Sequence, residues 1–133
     1  MSKRVVIAED EAILAEGYEI YIKGLGHEVV GIADTAQDTI EKVCASRPDI
    51  VFLDINMDYR TAGIDACRTL KQQCPEIKIY FVTAYAKEVY EKELAGVHYD
   101  GYIDKLDFLS EIDDILKENG NNSHECITTR SSI

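Results

Sequence analysis

The sequence predicts an α/β fold: a five-stranded parallel sheet in the order 2-1-3-4-5 with helices on both faces. Short apolar runs alternate five times with stretches of helical period, which is the signature of successive strand-helix units with right-handed crossovers. Three of those runs, Val5-Val6-Ile7-Ala8, Ile50-Val51-Phe52-Leu53 and Ile79-Tyr80-Phe81-Val82, are apolar at every position, as strands buried on both faces must be. They therefore occupy the centre. The second and fifth strands are shorter or more polar and suit the edges, which places the switch point between strands one and three.

Each element has its own warrant. From Glu11 to Lys23, the spacing of Leu14, Tyr18, Tyr21 and Leu25 predicts one apolar helical face, ended by Gly24 and Gly26. The second strand, about 27–33, opens with charge and contains Gly31, as an edge strand tolerates. Thr35 with Asp38 three residues on is a capping-box signature, Ala36, Ile40 and Val43 are the expected buried face, and Pro48 forbids continuation. A third helix, about 63–72, is expected to bury Ile64, Cys67 and Leu70 before Pro75 turns the chain into strand four. The fourth helix, about 86–95, has Val89 and Leu94 as its main apolar residues amid charge, so light packing is expected. Gly101-Tyr102-Ile103-Asp104 forms the fifth strand. Asp107 then caps a helix with Phe108, Ile112 and Ile115 on one face. Residues 1–118 make one domain, and 119–133, opening with Asn119-Gly120-Asn121-Asn122-Ser123, form a polar tail expected to be flexible.

Composition limits the partners. A chain of 133 residues with 46% apolar content can bury one continuous core. Its 25 acidic residues outnumber 14 basic ones, and a net charge of -11 without a Lys/Arg cluster disfavours direct binding to nucleic acid or an anionic membrane. The opening Met1-Ser2-Lys3-Arg4 leads into an apolar run too short for a signal peptide, so a cytoplasmic location is expected. Cys44, Cys67, Cys74 and Cys126 show no zinc spacing and are expected to be small core residues or surface thiols.

Function is written at the strand ends. Strand one runs into Glu9-Asp10-Glu11, strand three into Asp54, strand four into Thr83, and strand five into Lys105. In this topology all of these meet at the carboxyl edge of the sheet, where open α/β sheets bind ligands. Clustered carboxylates there suit Mg2+, a hard cation that takes one or two carboxylates with waters and phosphate oxygens. Adding a hydroxyl and an ammonium completes the parts needed to pass a phosphoryl group to an aspartate.

On these residues the chain resembles the receiver (CheY-like) domain of two-component response regulators, from about Lys3 to Lys117. The resemblance implies that Asp54 accepts a phosphoryl group from a phosphohistidine on a sensor histidine kinase or phosphotransfer protein. It further implies that Asp10 and Asp54 bind Mg2+ directly, Glu9 through water and Asn56 through its backbone carbonyl. Thr83 and Lys105 would grip the phosphoryl oxygens. Tyr102 would swing inward as Thr83 moves, switching a surface on helix four, strand five and helix five for a downstream protein partner or, on phosphorylation, a homodimer. Departures from the family pattern are Met57-Asp58 in place of Met-Pro, Gly63 nine residues after Asp54 rather than about eight, Glu9 for the commoner aspartate, and Leu106 for the usual proline. Because a cis bond before a non-proline residue costs about 3 kcal/mol, a trans Lys105–Leu106 bond or an altered approach of Lys105 is expected. Tyr85 is expected to screen the acyl phosphate from water.

Two rival readings come from other classes. A phosphatase of the haloacid-dehalogenase type shares the aspartate, hydroxyl, lysine and Mg2+ plan, but Asn56 stands where that family needs a second acid. A receiver-like docking module would work without phosphorylation. About fifteen residues follow Lys117, too few for a helix-turn-helix effector, so a stand-alone receiver or a piece of a longer protein is expected.

Overall fold

The structure, a computed structural model, describes residues 2–118; the expected tail at 119–133, with Cys126, lies outside the described residues. In chain order the elements are β1 (Arg4–Ala8), α1 (Ala12–Gly24), β2 (Glu28–Ala33), α2 (Ala36–Ser46), β3 (Ile50–Leu53), α3 (Ala62–Gln73), β4 (Lys78–Thr83), a 3-10 turn (Lys87–Tyr90) that runs into α4 (Glu91–Leu94), β5 (Gly101–Asp104) and α5 (Phe108–Glu118). The five strands are parallel in the order β2-β1-β3-β4-β5. No helix among the described residues is long and apolar enough to cross a membrane.

The all-apolar strands follow from a core on each side of the sheet. Successive side chains alternate faces. Val6, Val51, Leu53, Ile79 and Phe81 enter one core with α2, α3 and α4, while Val5, Ile7, Phe52, Tyr80 and Ile103 enter the other with α1 and α5. Phe108 locks the second core, meeting both Tyr18 and Phe52 edge-on at 4.8 Å between ring centroids.

Half of the capping signature at Thr35 is present: its hydroxyl accepts from the Asp38 N–H at 3.0 Å, while the Asp38 carboxylate pairs with Lys42 at 3.0 Å and the Ala36 N–H donates to Asp58 at 3.0 Å. Thr39, which donates back to the Thr35 carbonyl, is buried on this helix, and Ile40 packs only partly. Arg47, at φ 51, ends α2 in the left-handed region.

Two expected faces are corrected. In α1 the buried residues are Ala15, Tyr18 and Ile22, whereas Leu14 and Tyr21 remain substantially exposed. The helix carries apolar residues on several sides, so period alone did not choose the inward one. Near α4, Tyr90 is buried and Val89 is exposed. The chain is a 3-10 turn through Tyr90, with three residues per turn, and the phase of an ideal α-helix does not apply.

The site depends on one glycine. At the start of α3 the Gly63 N–H donates to the Ile55 carbonyl at 2.8 Å, and a Cβ on Gly63 would overlap the Asp54 carbonyl oxygen and lie 2.7 Å from Ile55 Cα. Gly63→Ala is expected to destabilise the fold by about 3 kcal/mol in urea denaturation, because backbone rather than a flexible side chain opposes the methyl. Gly17→Ala, in mid-α1 with open space around it, is expected to stabilise by about 0.5–1 kcal/mol.

Candidate functional site

Parallel register brings the strand ends to one level. Ala8 stands opposite Leu53, and Leu53 opposite Phe81, so the residues that follow β1 and β3 leave the sheet side by side. The Asp54 N–H donates to the Ala8 carbonyl at 2.9 Å and the Glu9 N–H to the Ala33 carbonyl at 2.9 Å, fixing both acidic residues at the switch point. Carboxylate oxygens of Glu9, Asp10 and Asp54 come within 4.8 Å of one another. Glu9 and Asp54 are only 3% and 5% exposed, while Asp10 faces solvent.

Lys105 reaches this cluster from beyond β5. Its backbone N–H donates to the Thr83 carbonyl at 2.9 Å, and its Nζ lies 2.9 Å from Glu9 Oε1 and 3.0 Å from Asp54 Oδ2. Glu11 is more distant, at 3.8 Å, and uses its N–H to donate to Glu9 Oε2. The Lys105–Leu106 peptide bond is trans.

Burial sets the electrostatics. Loss of water pushes the Asp54 carboxyl above its ordinary pKa, against hydrogen bonds from Lys105 and the Asn56 N–H, with the Asp10 charge adding to the rise. Glu9 is raised for the same first reason, again against Lys105. For Lys105, burial alone would lower the ammonium's pKa, but the two carboxylates outweigh it and hold the proton firmly. Three carboxylates against one ammonium form an oxygen-only donor set with a charge deficit, which fits a hard divalent cation.

The other expected residues fall along the neighbouring edge. Thr83 is fully buried at the end of β4, and its hydroxyl accepts from the Tyr85 N–H at 3.4 Å. Tyr102 packs its ring 6.2 Å from Phe81, and its hydroxyl donates to the Tyr85 carbonyl at 2.8 Å. Tyr85 itself is about half exposed and sets its ring edge-on to Tyr90 at 6.1 Å. The structure thus brings Glu9, Asp10, Asp54 and Lys105 into one cluster, with the Asn56 backbone on Asp54, and joins Thr83 and Tyr102 to each other through Tyr85.

Sequence reasoning missed what holds the loop after Asp54. Arg60 lies over the Tyr90 ring at 4.9 Å, pairs with Glu93 at 2.9 Å and donates to the Val89 carbonyl at 3.2 Å. Arg68 donates to the Glu93 carbonyl at 2.9 Å and pairs with Asp65 at 3.2 Å, which in turn accepts from the Tyr59 hydroxyl at 2.8 Å. The loop is stitched to α4. Its one-residue excess over the common family length and Met57-Asp58 in place of Met-Pro were the sequence signals.

Comparison with known proteins agrees with this fold. A family model described as the response regulator receiver domain matches residues 5–117. The phyllosphere-induced regulator PhyR of Methylorubrum extorquens is 34% identical over 64% of this chain and 32% of its own length. The response regulator VraR of Staphylococcus saprophyticus is 30% identical over 92% of this chain and 58% of its own. The chain therefore spans between about a third and somewhat over half of these relatives. Among solved structures, the receiver domain of PhyR from Erythrobacter litoralis superposes with a TM-score of 0.74 at 26% identity, covering 89% of both chains. A LuxR-family DNA-binding response regulator from Staphylococcus aureus, at 24% identity, shares the fold with a TM-score of 0.79 over 90% of this chain and 99% of that one. With its carboxylates, lysine and sheet order in place, this chain belongs to the response regulator receiver domain family.

Proposed function

We propose that this domain is a phosphoacceptor switch that takes a phosphoryl group on Asp54 from a phosphohistidine of a sensor kinase or phosphotransfer protein. The observation that carries this reading is the Lys105 ammonium, held between Asp54 and Glu9 in a buried acidic cluster. Asp54 Oδ attacks phosphorus, the P–O bond forms as the P–N bond breaks, and the imidazole leaves with a proton. Lys105 exchanges part of its carboxylate contact for a phosphoryl oxygen, and the Thr83 hydroxyl, buried at the next strand end, donates to another. Asp10, Asp54 and the Asn56 carbonyl would hold Mg2+, with Glu9 acting through water. When bound there, the ion would supply charge neutralisation at the phosphoryl oxygens.

A new pull on Thr83 would be felt at Tyr102 through the shared Tyr85 backbone, since Tyr85 donates its N–H to one and offers its carbonyl to the other. The surface of α4, β5 and α5 then carries the response to a downstream protein partner or a second copy, as a shift between two populated states. The half-exposed Tyr85 ring stands beside this path and would screen the acyl phosphate from water.

Incubation of the full chain with acetyl phosphate and Mg2+ should add one phosphoryl group by intact mass, labile to hydroxylamine and absent in Asp54→Asn or without metal. No gain in mass would favour a docking module that works without phosphorylation. Lys105→Ala should slow the gain by on the order of a hundredfold, the loss typical of one aligned charge-stabilising donor. A carboxyl whose folded pKa is raised contributes stability below the ordinary carboxylate range, and this is lost as pH rises through the folded value. At neutral pH without metal, Asp54→Asn should therefore melt higher than wild type by a few degrees. Mg2+ at about ten times its dissociation constant should stabilise wild type by about 1.4 kcal/mol, and Asp54→Asn much less.

A further inference from the structure

At the opposite edge of the sheet, two cysteines thirty residues apart in sequence meet. Cys44 lies in the last turn of α2, partly buried against the core that contains Cys74, and Cys74 is the residue that caps α3, 2% exposed. Burial raises the Cys74 thiol, and the neighbouring Cys44 thiol raises it further. Cys44 Sγ also donates to Gln73 Oε1 at 3.1 Å, beside Cys74 in the chain, and Arg47 Nη1 donates to Cys74 Sγ at 3.3 Å. Nothing in the phosphoryl chemistry uses this group.

We propose that Cys44 and Cys74 form a redox-sensitive modification site, a thiol pair that hydroperoxides oxidise to a disulfide joining the C-terminal ends of α2 and α3. Cys44 is the more accessible sulfur and meets the oxidant first. Its thiolate attacks one peroxide oxygen, the O–O bond breaks, and the departing hydroxide takes a proton to leave a sulfenic acid and water. Cys74 sulfur then attacks Cys44 sulfur; the S–S bond forms, the S–O bond breaks, and a second water leaves carrying the Cys74 proton. Two thiols lose two electrons and the peroxide gains them. A small thiol reverses the bridge by exchange. Burial keeps Cys74 from reacting alone, and the adjacent Arg47 guanidinium favours negative charge on its sulfur as the bridge closes.

Cys67 provides an internal contrast. It is fully buried, donates to the His98 carbonyl at 3.2 Å and has its thiol pushed up to about 12, so it stays a thiol in the folded protein. The position of the pair separates it from Asp54, because helices that return between parallel strands end at the amino edge of the sheet.

The test is peptide mapping of the full chain after brief exposure to hydrogen peroxide and alkylation of the remaining thiols. Expected is an intramolecular link between the Cys44 and Cys74 peptides that dithiothreitol reverses, with Cys67 alkylated only after denaturation. Cys44→Ser should leave Cys74 reduced under the same exposure. Accumulation of Cys44 as a sulfinic acid beside reduced Cys74, a bridge from Cys44 to Cys126 or to a second molecule, or oxidation of Cys74 in Cys44→Ser would overturn the proposal.

Discussion

Two carboxylates buried within reach of a single ammonium are the constraint on which this structure turns. Glu9 and Asp54 lose most of their water, and both are raised by that loss even with Lys105 between them. An arrangement so costly in charge persists only where the backbone leaves no alternative. Here the alternatives are removed by strand order: β1 and β3 are neighbours, and Lys105 is tied by its own N–H to the end of β4. The ammonium reaches the acids because the sheet delivers it there.

The sheet can impose this because it is buried on both faces. A one-residue slip of β3 would exchange Val51 and Leu53 with Ile50 and Phe52 between two differently shaped cores, and Phe52 would lose its place against Phe108. Register is thereby fixed by packing on both sides, and the level at which Asp54 leaves the sheet is fixed with it. Gly63 completes the restraint by letting α3 lie directly on the backbone that follows β3.

How much of this the sequence disclosed depends on the range of the interaction concerned. The strand ends were legible because an all-apolar run that stops at a polar residue is a local signal, and three of them, ending at Glu9, Asp54 and Thr83, define the rim. Thr35 was legible because a cap is decided within four residues. The inward face of α1 was not, since Ile13, Leu14, Ile20 and Tyr21 give it apolar residues beyond those the core takes. Arg60 on Tyr90 and Cys44 against Cys74 were invisible for a different reason: each joins residues about thirty apart that neither periodicity nor motif spacing links.

The stitching by Arg60 also determines where the fold yields most readily. The ion pair with Glu93 is largely exposed, with the Arg60 side chain 53% accessible, and exposed pairs contribute little on their own. What keeps the 3-10 turn and the one-turn helix after it in place is the burial of Tyr90 and Leu94, together with a guanidinium stacked on the Tyr90 ring. Every other helix among the described residues has eleven or more residues and a longer buried face. The segment 87–94 is therefore the least anchored part of the carboxyl rim, and it touches both the loop after Asp54, through Arg60, and the Thr83–Tyr102 path, through Tyr85. A rearrangement of hydrogen bonds worth a few kcal/mol at Asp54 is comparable with what holds this segment, and far below what holds the sheet. A change at the acidic cluster is therefore expected to move 87–94 before it moves a strand.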